Sequence, residues 1–434
     1  MKSILFLGLL LLVVICKAQN PIIQTKFTAD PAPLVYHDTV FLYTSHDEDD
    51  AKNFKIINWL LYTSTDMVNW TDRGTVASLH DFNWAPNNGA WATQVIERNG
   101  KFYMYCPIHI KGIGVLVSDS PYGPFKDPLG KPLINQSVDD IDPTVFIDDD
   151  GQAYLYWGNP NCWFVKLNKD MISYTGNIGK IEPRLPTYQE GPWFYKRNGR
   201  YYLAFASTCC PEGIGYAMSP GPTGPWTYKG SIMDGDKRSS GNHPGIIDYK
   251  GKSYAFGFNY ALNYALTDIH RERRSICMAK FNYNPDGTID KLPFWSPAGV
   301  DQVGTFNPYQ HTLATTINLE SGIKTAKDSI AGMYVTDINS GDYVKVRGAD
   351  FGKGVKKFEA NVASPSGNAI IEIHTDSLAG PLIGRLAVKK TGDWQKWSIQ
   401  TCFVKNVKGI HDVFFVIKGA DGPLFNFKWW KFNK

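Results

Sequence analysis

Asp142-Pro-Thr-Val-Phe-Ile-Asp-Asp-Asp-Gly-Gln-Ala-Tyr-Leu-Tyr156 states the grammar of the chain: a chemically active lead residue, a short apolar strand, a turn and an aromatic strand. Four other stretches repeat it. They open at Asp30 (Asp30-Pro-Ala-Pro-Leu-Val-Tyr), Trp91 (Trp91-Ala-Thr-Gln-Val-Ile-Glu), Glu190 (Glu190-Gly-Pro-Trp-Phe-Tyr) and His243 (His243-Pro-Gly-Ile-Ile-Asp-Tyr). The dipeptides Asn99-Gly100, Asp150-Gly151, Asn198-Gly199 and Lys250-Gly251 are hairpin signals, because glycine accepts the positive φ a tight turn needs. The lead residues lie 61, 51, 48 and 53 positions apart. A period near fifty built from hairpins predicts a β-propeller with about four strands per blade. Five units predict five blades; a β-sandwich with similar hairpins is the alternative. In a propeller, equivalent positions of successive blades converge on the axis. Asp30, Trp91, Asp142, Glu190 and His243 are therefore expected at one central site.

Composition narrows the classes. With 45 Lys+Arg against 41 Asp+Glu over 434 residues, charge gives no reason to expect a nucleic-acid partner. The 13 Trp, 23 Tyr, 24 Phe, 40 Gly and 26 Pro favour β structure, and exposed aromatic rings are what sugars stack on. Residues 1–18 read as a signal peptide: Lys2, an apolar run Ile4 to Cys16, and small Ala18 before Gln19. Lipidation of Cys16 is the rival reading, weakened by the bulky Ile15. The run is too short to span a bilayer. The mature protein is expected to be exported, periplasmic or extracellular, without a membrane span, and monomeric. Six cysteines remain, scattered and without CxxC spacing, so buried thiols are expected rather than zinc. Cys209-Cys210, in a turn, is set aside as a pair that forms a disulfide with an unidentified neighbour.

Three carboxylates at matching repeat positions suit glycosidic bond hydrolysis. One acid protonates the leaving oxygen, a carboxylate activates water on the opposite face, and a third tunes the acid. A turn role for each Asp-Pro is the alternative, and three coincidences outweigh it. Ala29-Asp30-Pro31, Ile141-Asp142-Pro143-Thr144-Val145-Phe146 and Glu190-Gly191-Pro192 resemble glycoside hydrolase family 43 over roughly residues 21–300. The resemblance implies a five-bladed propeller and an inverting mechanism, with Asp30 as general base, Glu190 as general acid and Asp142 as modulator of the acid. It also implies that His243 holds a water or a calcium ion in the channel, with no cofactor required. Trp91-Ala92-Thr93 replaces the family's usual Trp-Ala-Pro, and Trp91 is expected in the sugar platform. Of Arg273 and Arg274, Arg274 is preferred as the substrate-contacting arginine. Trp84 either lines the pocket or packs beneath it. His46-Asp47-Glu48-Asp49-Asp50 reads as an acidic rim loop, with a metal cluster as the alternative.

After about Thr305 the period changes. Residues 305–313 read as a linker, and residues 314–434, with short alternating strands and Gly turns, as a β-sandwich. Gly341-Asp342-Tyr343-Val344, Thr391-Gly392-Asp393-Trp394 and Phe425-Asn426-Phe427-Lys428-Trp429-Trp430 resemble a family 6 carbohydrate-binding module, which implies a jelly roll. Trp394, Tyr343 and Asn426 are its candidate sugar-binding residues. The positions of the family's calcium-binding acids fall at Leu313, Thr315 and Lys428, so that calcium is not expected here.

The expectation is thus an all-β chain: signal peptide 1–18, five-bladed catalytic propeller 19–304, linker 305–313 and sandwich module 314–434. Its partner is a plant polysaccharide or oligosaccharide, from which it releases terminal sugars as an exo-α-L-arabinofuranosidase or β-xylosidase. A β-D-galactofuranosidase or a non-catalytic carbohydrate-binding propeller is the alternative.

Overall fold

A computed structural model describes residues 19–239 and 242–434; the segment read as a signal peptide lies outside the described residues. The regular structure of the described chain is nearly all strand, with one short α-helix at Ala261–Leu266 and a 3-10 turn at Leu79–Asp81. Five antiparallel sheets follow one another in the first part. Blade one holds Phe27–Tyr36, Thr39–Asp47, Ile56–Ser64 and Trp70–Ser78, and blade two holds Gln94–Arg98, Lys101–Ile108 and Gly112–Ser118. Blade three holds Thr144–Ile147, Ala153–Trp157, Trp163–Leu167 and Gly179–Lys180. Blade four holds Tyr188–Arg197, Arg200–Ser207, Gly213–Ser219 and Thr227–Met233, and blade five holds Gly245–Tyr249, Lys252–Asn259 and Ser275–Phe281. The first strand of each blade touches the first strand of the next, and the fifth returns to the first, so the ring closes as a five-bladed propeller.

The turn dipeptides explain the hairpins. Asn99 and Gly100, Asn198 and Gly199, and Lys250 and Gly251 all have positive φ, the conformation of a two-residue turn that matches strand twist. Closure is made by the start of the described chain. Ile22 N–H donates to Ile276 O at 2.8 Å, and Asn20 trades hydrogen bonds with the Met278 backbone, so this segment lies along the outer strand of the three-stranded fifth blade.

Between the blades lie aromatic seams. Tyr156 of blade three stacks on Phe194 of blade four with ring centroids 4.4 Å apart and planes at 11°. Wedges of this kind fill the divergence between twisted sheets, so the core is distributed around the ring while the axis stays polar.

The remainder is a two-sheet sandwich. One sheet runs Lys324–Asp328, Gly332–Thr336, Asn426–Asn433, Lys357–Ala363, Ser398–Phe403; the facing sheet runs Leu319–Ser321, Tyr343–Asp350, Ile410–Gly419, Ala369–Thr375, Leu382–Val388. Phe358, Phe415, Trp430 and Phe432 fill the space between them. The stretch 305–313 differs from a free linker. Phe306 pairs with Ala349, and Thr312–Leu313 pairs with Trp430 and Trp429, because this stretch carries apolar residues that the sandwich buries. Thr316–Ile317 then adds to the outer strand of blade one through Thr71 and Trp70, which welds the two parts together.

Candidate active site

The five lead residues stand at the entrance to the innermost strands, and the strand geometry there is irregular. Pairing in Phe27–Tyr36 skips between Ala29 and Ala32, and in Tyr188–Arg197 between Glu190 and Trp193. Asp30 and Asp142 take positive φ, 53° and 54°, as does Gly191 at 58°. Such bulges turn a side chain out of the sheet and re-aim it, here at the axis. All five lead residues line one cavity of about 320 Å³.

At its floor His243 stands among the acids. Its Nδ1 lies 3.4 Å from Asp30 Oδ1, and its Nε2 lies 3.2 Å from Glu190 Oε1 and 3.7 Å from Asp142 Oδ2. Asp30 and Glu190 therefore sit on opposite edges of the imidazole, held apart by its width. Arg274 is the second cation. It is 4% exposed and donates from Nη1 to Asp30 Oδ1 at 2.9 Å, while Nε and Nη2 clasp Asp47 at 3.0 and 2.8 Å. Asp142 accepts the Gly191 N–H at 3.1 Å, a bond that ties the third blade to the fourth beside the acid.

The charges are strongly coupled. Burial lowers the His243 pKa, but Asp142, Asp30 and Glu190 push it up to about 10, so it is an imidazolium at neutral pH. Burial pushes Asp142 up to about 7 against the opposing pull of His243, and the like charges of Glu190 and Asp30 add to the upward push. Burial also raises Glu190, yet the hydrogen bond and charge of His243 and the amide of Asn159 outweigh it, and the net direction is down. In the free protein, then, Glu190 is the carboxylate partner of the imidazolium.

The walls come from a second structural rule. In each blade except the second, the loop after the second strand contributes to the lining: Phe54 in blade one, Asn159 in blade three, Cys209, Cys210 and Glu212 in blade four, Glu272 and Arg274 in blade five. In blade two the same loop supplies His109, whose ring packs on Trp91 at 4.2 Å. Sequence reasoning did not identify Asn159, Glu212 or Asp47 as site residues, because these loops share no repeated motif. Asp47 is a correction: rather than part of an acidic rim it is fully buried at the end of a strand, anchoring Arg274. Glu212 is buried too, and burial together with Glu190 pushes its pKa up to about 8. Trp84 lies apart from the cavity: its ring packs on Phe82 at 5.1 Å and its N–H donates to Asp127. Cys209 and Cys210 are bonded to each other, not to a third residue.

Asp142, Glu190 and His243 present ligand atoms within 4.8 Å of one another, an arrangement that can hold a metal ion. Calcium takes six to eight oxygen ligands. This set offers two carboxylates and an imidazole, so a calcium ion held here would take the rest of its oxygen ligands from water.

On the module, Trp394 is 39% exposed in the loop before Ser398–Phe403, and Asn426 donates to its carbonyl at 2.9 Å. Tyr343 stands on the opposite sheet beside Phe414. The tyrosine near the Trp394 loop is Tyr334, whose hydroxyl accepts from Gln395 Nε2 and whose ring meets Trp397 at 5.4 Å. Leu313 pairs with Trp429, the Thr315 hydroxyl donates to the Asp72 carbonyl at 3.0 Å, and Lys428 Nζ hangs 5.9 Å over Trp397.

A propeller whose axis gathers carboxylates from three blades around a buried imidazolium defines a glycoside-cleaving class of protein. Residues 18–289 match Glycosyl hydrolases family 43, and residues 313–434 match Carbohydrate binding module (family 6). The chain is 34% identical to an arabinoxylan arabinofuranohydrolase of Bacillus subtilis over 96% of its own length and 92% of that protein's. A β-D-galactofuranosidase of Aspergillus niger is 30% identical, covering 63% of this chain and 84% of its own. A crystal structure of a family 43 arabinoxylan arabinofuranohydrolase from Bacillus subtilis, in complex with cellotetraose, superposes with a TM-score of 0.86 at 33% identity, over 96% of this chain and 98% of that one. The chain belongs to glycosyl hydrolases family 43, and it is an inverting glycoside hydrolase with a C-terminal carbohydrate-binding module.

Proposed function

We propose that the protein is an exported exo-acting α-L-arabinofuranosidase that removes arabinofuranosyl side chains from arabinoxylan. The observation that carries this reading is the meeting of Asp30, Asp142 and Glu190 around His243 in one cavity. A volume of about 320 Å³ suits a single terminal sugar and the start of the next, and the Bacillus subtilis relative carries the matching activity in its name.

Asp30 acts as general base. The contacts from Arg274 and His243 both fall on Oδ1, and Oδ2 takes a proton from the attacking water. Glu190 acts as general acid: as the C–O bond to the leaving group breaks, it gives its proton to that oxygen while the water oxygen bonds to the anomeric carbon. Glu190 must first be protonated. Sugar binding displaces water and raises the cost of its negative charge, and Asp142, pushed up to about 7, is a proton source at hand. Asp142 thus holds and supplies the acid. Trp91 and Phe54 form the platform for the sugar face. The reaction is proposed to need no metal ion, so activity should persist in excess chelator. The module's Trp394 and Asn426 are proposed as a sugar-contacting pair.

A β-xylosidase is the second reading, favoured by the 28% identity to xylosidase/arabinosidase relatives such as that of Bacteroides ovatus. Incubating the purified protein with arabinoxylan, arabinan and arabinogalactan separates these: free arabinose from arabinoxylan supports the first reading, xylose alone the second. Asp30→Ala and Glu190→Ala should each abolish release. Export and a monomeric state are part of the proposal; a secreted chain beginning at Gln19 and a mass of one chain by light scattering are the expected results.

A further inference from the structure

One wall of the cavity is made of an unusual chemical unit. The loop joining Arg200–Ser207 to Gly213–Ser219 carries Cys209 and Cys210, bonded to each other. Both are exposed and both line the cavity. Cys106, Cys162 and Cys277 are buried free thiols and Cys402 sits on the module, so among the described residues this pair alone brings sulfur to the site. The loop is anchored on either side: Thr208 N–H donates to Thr187 O at 2.7 Å, and Glu212 is buried.

The chemistry of the unit suits a sugar ring. A disulfide has no hydrogen-bond donor, and its sulfurs and β-carbons present a compact, polarizable, apolar face. Phe54 and Trp91 supply an aromatic wall from blades one and two, and the cystine comes from blade four, which adjoins neither of those blades in the ring. A furanose has hydroxyl edges, which the acids and Arg274 can reach, and C–H faces, which need apolar partners. We propose that the Cys209–Cys210 disulfide is a sugar-contacting wall that packs on a C–H face of the terminal sugar and sets how tightly it is gripped. The inference rests on the arabinofuranosidase reading. Joining adjacent residues removes the loop's freedom before sugar arrives, so binding does not have to supply that order.

The test uses the full chain and an aryl α-L-arabinofuranoside, with kcat and KM measured for native protein, for protein reduced with a phosphine, and for Cys209→Ala/Cys210→Ala. Dye titration should find two more thiols after reduction. KM should rise about tenfold in both the reduced protein and the double variant, with kcat within about threefold, as for loss of pocket contacts that do not change in the transition state. The variant should be indifferent to the phosphine, and reoxidation should restore the native KM. Circular dichroism of the reduced protein should match the native trace. An unchanged KM in the reduced protein overturns the wall, and this arm decides even if the double variant does not fold. Activity without dependence on the disulfide defeats this inference alone; no hydrolysis of the arabinofuranoside by native protein defeats the arabinofuranosidase reading and the wall with it.

Discussion

Arg274 and His243 are the two cations against which the acids of the floor are arranged. Arg274 holds two buried carboxylates, Asp47 and Asp30, so Arg274→Ala strips both of its guanidinium, leaving Asp30 with His243 and Asp47 with the backbone N–H of residue 274. The expected cost is about 3–5 kcal/mol in urea unfolding, and lysine, lacking the planar fork, should not restore it. His243 couples the site to pH. Folded, it holds its proton to about 10; its ordinary value is 6.5. Its contribution to stability is therefore complete below about 6.5 and is lost as pH rises towards 10. The melting temperature should fall across that window, and His243→Gln should remove that part of the slope. The lead residues were legible in the sequence because each opens a repeat. Asp47, Asn159 and Glu212 were not, since loops that follow no common pattern set their positions.

Bulges and left-handed residues at the entrances to the innermost strands convert a ring of sheets into a site. Gly191 shows how little slack there is. At φ 58°, an added Cβ would stand 2.8 Å from His243 Cγ and 2.9 Å from Cδ2. Gly191→Ala should push the imidazole off Glu190 and lower kcat/KM by at least about tenfold, while stability drops by only about 1–2 kcal/mol for the strained backbone. Initial-rate kinetics beside a thermal melt separates the two effects. Turn dipeptides such as Asn198-Gly199 were readable because their backbone chemistry is local. The skips at Ala29/Ala32 and Glu190/Trp193 were not, because a bulge is defined by what the partner strand does. Tyr334 escaped notice for a similar reason: its approach to the Trp394 loop depends on Gly332–Thr336 docking beside Phe427.

The two domains behave as one body. Asp72, buried at their junction, accepts from Lys26 Nζ and Thr325 Oγ1, each at 2.6 Å, and from Gly74 N–H at 2.7 Å. Thr71 and Thr316 hydroxyls bond across the same seam at 2.8 Å. Asp72→Ala should cost about 2–4 kcal/mol and split a single unfolding transition into two in differential scanning calorimetry. The sequence located the change of architecture near residue 305, where the period alters, but not this junction. Polar contacts between segments 250 residues apart, such as Asn318 to the Val68 carbonyl, leave no periodic trace. At this scale the symmetry of the ring gathers three carboxylates from three blades into one cavity. The most direct test is the proton NMR spectrum of the sugar first released from an α-L-arabinofuranoside. The β-anomer should appear first and mutarotate later; initial release of the α-anomer would contradict the arrangement.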